Sequence, residues 1–187
     1  MTDAAINDAL IDVPPAGVLD ALEAQAAAGR GLWCGFFVDV PPIGEYAPEK
    51  PPHVTMLHFG RRLPPRRAGL AHRACRVVAA AMPCVTFRPW GIARLDQSRG
   101  SVVALALEGE WLEDAYLALA RACEVVGVPF DERFAFRPHV TIARIGRDEL
   151  ARVPVMPRLV LRVTELALVC GDAVAKIPLA PADALPF

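Results

Sequence analysis

The chain has 187 residues, of which 54% are hydrophobic and 22% charged, and its formal net charge is −1 at pH 7. This composition is typical of a folded globular protein and excludes a largely disordered chain. The nearly neutral charge argues against a general polyanion-binding protein, although a local basic patch is compatible with it.

Hydrophobic periodicity and the Gly and Pro positions predict a helical leader over residues 1–31 and a single domain over residues 32–187. In the leader, Thr2 or Asp3 can cap a first short helix, and a second helix begins near Pro15 and ends at Gly29 or Gly31. The later predicted elements are strands over 32–40 and 53–59, a helix over 64–81, strands over 85–96 and 101–108, a helix over 110–126, and strands over 136–145, 159–170 and 174–179. This order predicts an α+β fold with mainly antiparallel strands.

The cysteines and the N-terminal residues indicate the compartment. Five cysteines occur without a Cys-x-x-Cys spacing, namely Cys34, Cys75, Cys84, Cys123 and Cys170. An odd number of cysteines in apolar surroundings predicts reduced, buried thiols. The sequence shows no signal peptide and no apolar run long enough to span a membrane. We therefore expect a cytoplasmic protein.

One short motif occurs twice, as Pro52-His53-Val54-Thr55 and as Pro138-His139-Val140-Thr141. On a strand, residues two apart point to the same face, so each copy places an imidazole beside a hydroxyl. The duplication predicts a bilobal protein, in which two mainly antiparallel sheets flank a central groove and the helices lie outside. Both imidazoles would then face one ligand.

Two histidines can divide acid–base work, because imidazole has an unperturbed pKa near 6.5. One can take a proton from an attacking oxygen of a phosphodiester while the other donates a proton to the leaving oxygen. Thr55 and Thr141 would bind the non-bridging phosphate oxygens. Arg144 could add a charged donor, but on a regular strand it points away from Thr141, so it can share the site only past the strand end or on a bulge.

The sequence around these motifs resembles the paired His-x-Thr motifs of the 2H phosphoesterase superfamily, and in particular the 2′-5′ RNA ligase-like proteins or RNA 2′,3′-cyclic phosphodiesterases. The resemblance rests on residues 52–60 (PHVTMLHFG) and 136–144 (FRPHVTIAR) and extends over about residues 32–180. It implies cleavage of 2′,3′-cyclic phosphate or 2′-5′ linkages in a nucleotide or an RNA terminus, with no metal and no cofactor. It also implies that His53 and His139 are the acid–base pair and that Thr55 and Thr141 bind phosphate.

The chain departs from the common family pattern and resembles a compact branch of it. A loop over residues 41–52 replaces the helix that usually precedes the first motif, the leader is extra, and His58 stands where an apolar or aromatic residue is usual. Neither the direction of the reaction, hydrolysis or ligation, nor the division of acid and base between the two histidines follows from the sequence. A monomer is the simplest assembly to expect.

Other interpretations of the same residues remain open. The chain could be a non-catalytic nucleotide- or RNA-binding module that retains the groove. On a regular strand His58 would lie on the face opposite His53, and His72 is predicted to be solvated among arginines. The arginines over residues 61–76 are predicted to form a solvated helix face rather than an RNA contact. A zinc site and a phosphate-binding loop are disfavoured, because neither ligand spacing occurs.

Overall fold

The computed structural model describes residues 17–46, 50–61, 63–64, 66–97, 100–133, 135–145 and 158–181. Its elements in chain order are α1 (Val18–Ala27), β1 (Gly31–Phe37), β2 (His53–Arg61), α2 (Arg67–Ala81), β3 (Val85–Phe87), β4 (Gly91–Gln97), β5 (Gly100–Ala106), α3 (Glu110–Val125), β6 (His139–Ile145), β7 (Leu161–Val163), β8 (Glu165–Cys170) and β9 (Ala173–Pro178). The predicted α+β class is confirmed. The first leader helix, predicted near Thr2 and Asp3, lies outside the described residues. None of the described helices is long and apolar enough to cross a membrane.

The main sheet has seven strands in the order β4-β5-β6-β2-β1-β8-β9, and its neighbouring strands run antiparallel. Its two halves, β4-β5-β6 and β2-β1-β8-β9, meet at β6 and β2 through the register pair Val54 and Val140. These residues are the central positions of the two motifs. The repeated sequences therefore lie side by side at the middle of the sheet and run in opposite directions.

The helices cover one face of this sheet. Helices α1 and α2 pack against β8 and β9, α3 packs against β2, and α2 contacts both of the other helices. Alternate residues of β1 point into this helical layer, since Leu32, Cys34 and Phe36 are all 0% exposed. The other face of β1 carries Trp33 and Phe37, which are only half-buried. His53 pairs with Phe37 on this second, less covered face.

Two of the predicted strands are divided in the structure. The segment 85–96 forms β3 and β4, separated around Pro89, which cannot donate a backbone hydrogen bond to a neighbouring strand. The segment 159–170 forms β7 and β8, because β7 pairs with β3 whereas β8 pairs with β1 and β9. The chain thus passes at Thr164 from a small two-stranded sheet into the main one.

The prediction that His72 is solvated was wrong, since this residue is only 4% exposed. His72 lies on α2, which contacts α1, α3 and the sheet. The arginines of α2 suggested a largely solvated helix, but these contacts bury the side of the helix that carries His72. The cysteine prediction holds for Cys34, Cys75, Cys123 and Cys170, which are free and buried, whereas Cys84 is free and half-buried.

Candidate functional site

The second motif lies on a strand whose alternation is interrupted by a β-bulge. Thr141 pairs with Ala104 and Ala143 pairs with Val103, so Ile142 is an additional residue on β6. Strand β5 itself is regular, because its pairing with β4 has no interruption. A bulge inserts one residue on one strand and reverses which face the following residues occupy.

The register with β5 shows which β6 residues share a face, since directly opposed residues in an antiparallel pair lie on the same side of the sheet. His139, Thr141 and Arg144 pair with Ala106, Ala104 and Val102, which alternate along the regular strand β5. All three side chains therefore lie on one face. The bulge that the sequence analysis required for Arg144 is present, and it brings Arg144 to the side of His139 and Thr141.

The first motif has the same construction. Thr55 pairs with Gly35 and Leu57 pairs with Cys34, so Met56 is the additional residue on β2. His53, Thr55 and His58 pair with Phe37, Gly35 and Trp33 of β1. Strand β1 is regular against β8 over residues 32–35, and Trp33 and Phe37 are half-buried while Phe36 between Gly35 and Phe37 is buried, so these three β2 residues share a face. His58 therefore does not lie opposite His53 as the regular-strand prediction had it; the bulge places both on the groove side.

Both motif histidines are oriented by the same hydrogen bond. Nδ1 of His53 lies 2.8 Å from the carbonyl oxygen of Pro51, and Nδ1 of His139 lies 2.8 Å from that of Arg137. A carbonyl oxygen can only accept, so each Nδ1 carries the proton and donates it. In the neutral ring Nε2 is then the basic nitrogen, and because it points away from Nδ1 it is the atom available to a ligand.

The surroundings of His53 favour its neutral form. Burial lowers the pKa of His53, which the hydrogen bond to Pro51 partly opposes, and the nearby charges of His139 and Lys50 lower it further. The ring of Trp33 packs against the imidazole with centroids 4.5 Å apart. The positive charge that His139 can carry therefore acts against a proton on His53.

A small cleft of about 80 Å³ lies at the end of the groove where β2 begins and β6 ends. It is lined by Lys50 and His53 from the first half and by Thr141 and Arg144 from the second. Antiparallel pairing around Val54 and Val140 explains this combination, because it sets the start of one motif beside the end of the other. Two cations, an imidazole and a hydroxyl surrounding one cleft form a suitable site for an anion.

Sequence reasoning missed two residues of this face. Lys50 lies in the loop before β2, and its only sequence signal was a cation close to the first motif. Trp33 falls within the predicted strand over residues 32–40, and its contact with His53 depends on the pairing of β1 with β2. Thr55 and His139, at the other end of the groove, are both half-buried.

A family model described as the 2′-5′ RNA ligase superfamily matches residues 42–174. Among solved structures, TT0787 of Thermus thermophilus is 20% identical with a TM-score of 0.57, and the alignment covers 80% of this chain and 95% of that one. E. coli LigT complexed with 3′-AMP is 16% identical with a TM-score of 0.55, covering 81% and 96%. Usb1 of Kluyveromyces marxianus is 15% identical with a TM-score of 0.51, covering 87% and 90%. These structures share the fold of this chain. No curated protein matches the sequence.

Proposed function

We propose that this chain, which belongs to the 2′-5′ RNA ligase superfamily, is a phosphodiesterase acting on 2′,3′-cyclic phosphate or 2′-5′ linkages in nucleotides or RNA ends. The observation that carries the proposal is the matched pair of imidazoles. His53 and His139 each donate from Nδ1 to a backbone carbonyl two residues earlier, which leaves Nε2 of both free to act on one ligand. The 3′-AMP bound by E. coli LigT is a ligand of the corresponding chemical class.

In the proposed reaction with a cyclic phosphate, water attacks the phosphorus atom. Nε2 of His53 takes a proton from the attacking water, and the bond from phosphorus to one ribose oxygen breaks. Nε2 of protonated His139 donates its proton to that leaving oxygen, so the product is a phosphomonoester. We assign the base to His53 because burial, aided by the charges of His139 and Lys50, lowers its pKa and keeps it neutral near pH 7.

The remaining groups bind the phosphate. Thr55 and Thr141 donate hydrogen bonds from their hydroxyls to the non-bridging oxygens, and Arg144 supplies charge in the cleft that it shares with His53. Since negative charge grows on these oxygens as water attacks, donors fixed in position stabilise the transition state more than the ground state. No metal ion and no cofactor takes part in this scheme, which makes resistance to a chelator an expected property.

The test is hydrolysis of 2′,3′-cyclic AMP and of a short RNA that ends in the cyclic phosphate, with EDTA present throughout. Wild type should turn over at least one of them, and His53→Gln and His139→Gln should each lower kcat by roughly 10²–10⁴-fold. Glutamine retains a polar side chain of similar reach, and thermal unfolding of both variants checks that the fold is intact. Loss of activity in EDTA that zinc restores would overturn the metal-free scheme.

The alternative, a non-catalytic binding module, gives no hydrolysis in this experiment, and a separate measurement of nucleotide binding identifies it. Wild type would then bind the nucleotide without turnover, and both glutamine variants would change only affinity.

A further inference from the structure

The internal repeat continues beyond the two threonines. Residues 53–58 read HVTMLH and residues 139–144 read HVTIAR, so His58 occupies the position that Arg144 occupies in the second copy. Each copy has its bulge directly after the threonine, at Met56 and at Ile142. The same irregularity thus turns His58 and Arg144 onto the groove face. Each follows its own motif, and because the two strands run antiparallel the two residues lie at opposite ends of the groove.

The surroundings of His58 differ from those of Arg144. His58 is exposed and pairs with Trp33, whose half-buried ring also packs on His53. Its backbone carbonyl accepts a hydrogen bond of 2.7 Å from the amide of Asp131, which connects β2 to the segment before β6. Although part of the side chain is exposed, the partial burial of His58 lowers its pKa, the charge of Asp131 opposes this, and the charge of His53 lowers it further. The net shift favours the neutral imidazole.

The two ends of the groove therefore match in backbone but not in chemistry. The Arg144 end presents two basic side chains, Arg144 and Lys50, which suit a phosphate. The His58 end presents an exposed imidazole, with one donor and one acceptor nitrogen, at the position of β2 that pairs with Trp33. Such groups are typical of contacts to the edge and the face of a nucleobase.

Resting on the proposed function, we infer that His58 is a specificity-determining residue that contacts the nucleoside attached to the scissile phosphate, while Arg144 contacts the phosphate itself. This assigns a direction to the bound substrate, with its phosphate toward Arg144 and its base toward Trp33 and His58.

Binding measured by calorimetry tests this inference without relying on turnover, with adenosine 3′-monophosphate and inorganic phosphate as the two probes. His58→Ala should weaken the nucleotide about tenfold and change the phosphate affinity less than about twofold. Arg144→Ala should weaken both probes. His58→Gln, which keeps a donor and an acceptor, should recover part of the nucleotide affinity, and Arg162→Ala, an exposed residue on β7, serves as the control.

Results that differ from these expectations show whether this inference, the proposed function or both are wrong. If His58→Ala weakens phosphate as much as nucleotide, or weakens neither, the inference is overturned even when wild type hydrolyses the cyclic substrate. If wild type binds the nucleotide in a His58-dependent manner but hydrolyses nothing, the inference stands and the catalytic proposal fails. If wild type binds neither probe, both are overturned. Thermal unfolding of His58→Ala and His58→Gln excludes a loss of fold as the cause.

Discussion

Each motif histidine is held by the backbone just before it, and a proline lies between the accepting carbonyl and the ring in both copies. Pro52 separates Pro51 from His53, and Pro138 separates Arg137 from His139. A residue that precedes proline is restricted to extended conformations, which fixes the direction of its carbonyl group. The proline thus belongs to the motif because it helps to select the imidazole tautomer.

The hydroxyl of Thr141 provides the sharpest test of phosphate binding. Thr141→Val keeps the shape and removes the hydroxyl, and a hydrogen bond to a charged group contributes about 1.5–3 kcal/mol. We therefore expect kcat/KM for the cyclic nucleotide to fall by roughly 10–100-fold. Thr86→Val, at an exposed position on β3, is the matched control and should leave kcat/KM unchanged. Equal values for Thr141→Val and wild type would remove Thr141 from the phosphate site.

The pH dependence of hydrolysis follows from the two imidazoles. The base must be neutral and the acid charged, so the profile of kcat/KM should be bell-shaped. Because burial lowers the pKa of His53, we expect the acidic limb to fall below the ordinary histidine value of about 6.5. Activity should be lost as the pH decreases through the pKa of His53. A flat rate between about pH 5 and 8 would contradict the acid–base assignment.

At the scale of elements, the bulges on β2 and β6 decide which side chains reach the groove. The bulges at Met56 and Ile142 each follow a threonine and reverse the alternation, so His58 and Arg144, which a regular strand would direct into the core, point to the groove instead. Gly35 of β1 lies opposite Thr55, where the backbone of β2 comes unusually close. A Cβ at Gly35 would overlap the carbonyl oxygen of Val54 and lie 3.1 Å from Cα of Thr55.

Replacing Gly35 should therefore displace the first motif. In Gly35→Ala the new methyl group pushes against backbone atoms, which cannot rotate away as a side chain can, so we expect lower thermal stability and lower kcat. Gly31→Ala on the same strand is the control, since its Cβ would meet only Cγ of Arg61 at 3.7 Å and the carbonyl oxygen of Gly60 at 3.8 Å. If both variants unfold at the wild-type temperature and retain wild-type kcat, β1 does not constrain the motif.

At the scale of the whole molecule, one sheet places the two motifs together and one helical layer supports them. The halves of the sheet meet at Val54 and Val140, so the face that carries both motifs is built across the seam between them. This layer also buries His72 on α2. Burial lowers the pKa of His53, His58 and His72, and so couples folding to pH.

We expect the free energy of unfolding to decrease as the solution is acidified. Well above about pH 6.5 these three histidines are neutral in both the folded and unfolded states, and their contribution to the free energy of unfolding is fully present. Below that value the unfolded chain binds protons more readily, and the contribution is lost as the pH falls through the lowered pKa values of the folded state. Urea unfolding at pH 7 and pH 5 measures this difference. In His72→Gln the difference should be smaller, and an unchanged one would mean that His72 does not contribute.

The sequence alone was sufficient to predict the α+β class, helix α3 and the two strands that carry the repeated motif. Helix α3 was predictable because its apolar spacing is local, and the motifs because each pairs an imidazole with a hydroxyl two residues away. The placement of Arg144, His58 and Trp33 on one face was decided by tertiary structure alone. A bulge is defined by pairing with a partner strand distant in the sequence, β1 for the first motif and β5 for the second. The alternation of residues along one strand therefore does not indicate where a bulge occurs. The burial of His72 likewise depends on helices that pack against α2 from other parts of the chain, and the composition of α2 itself indicated the opposite.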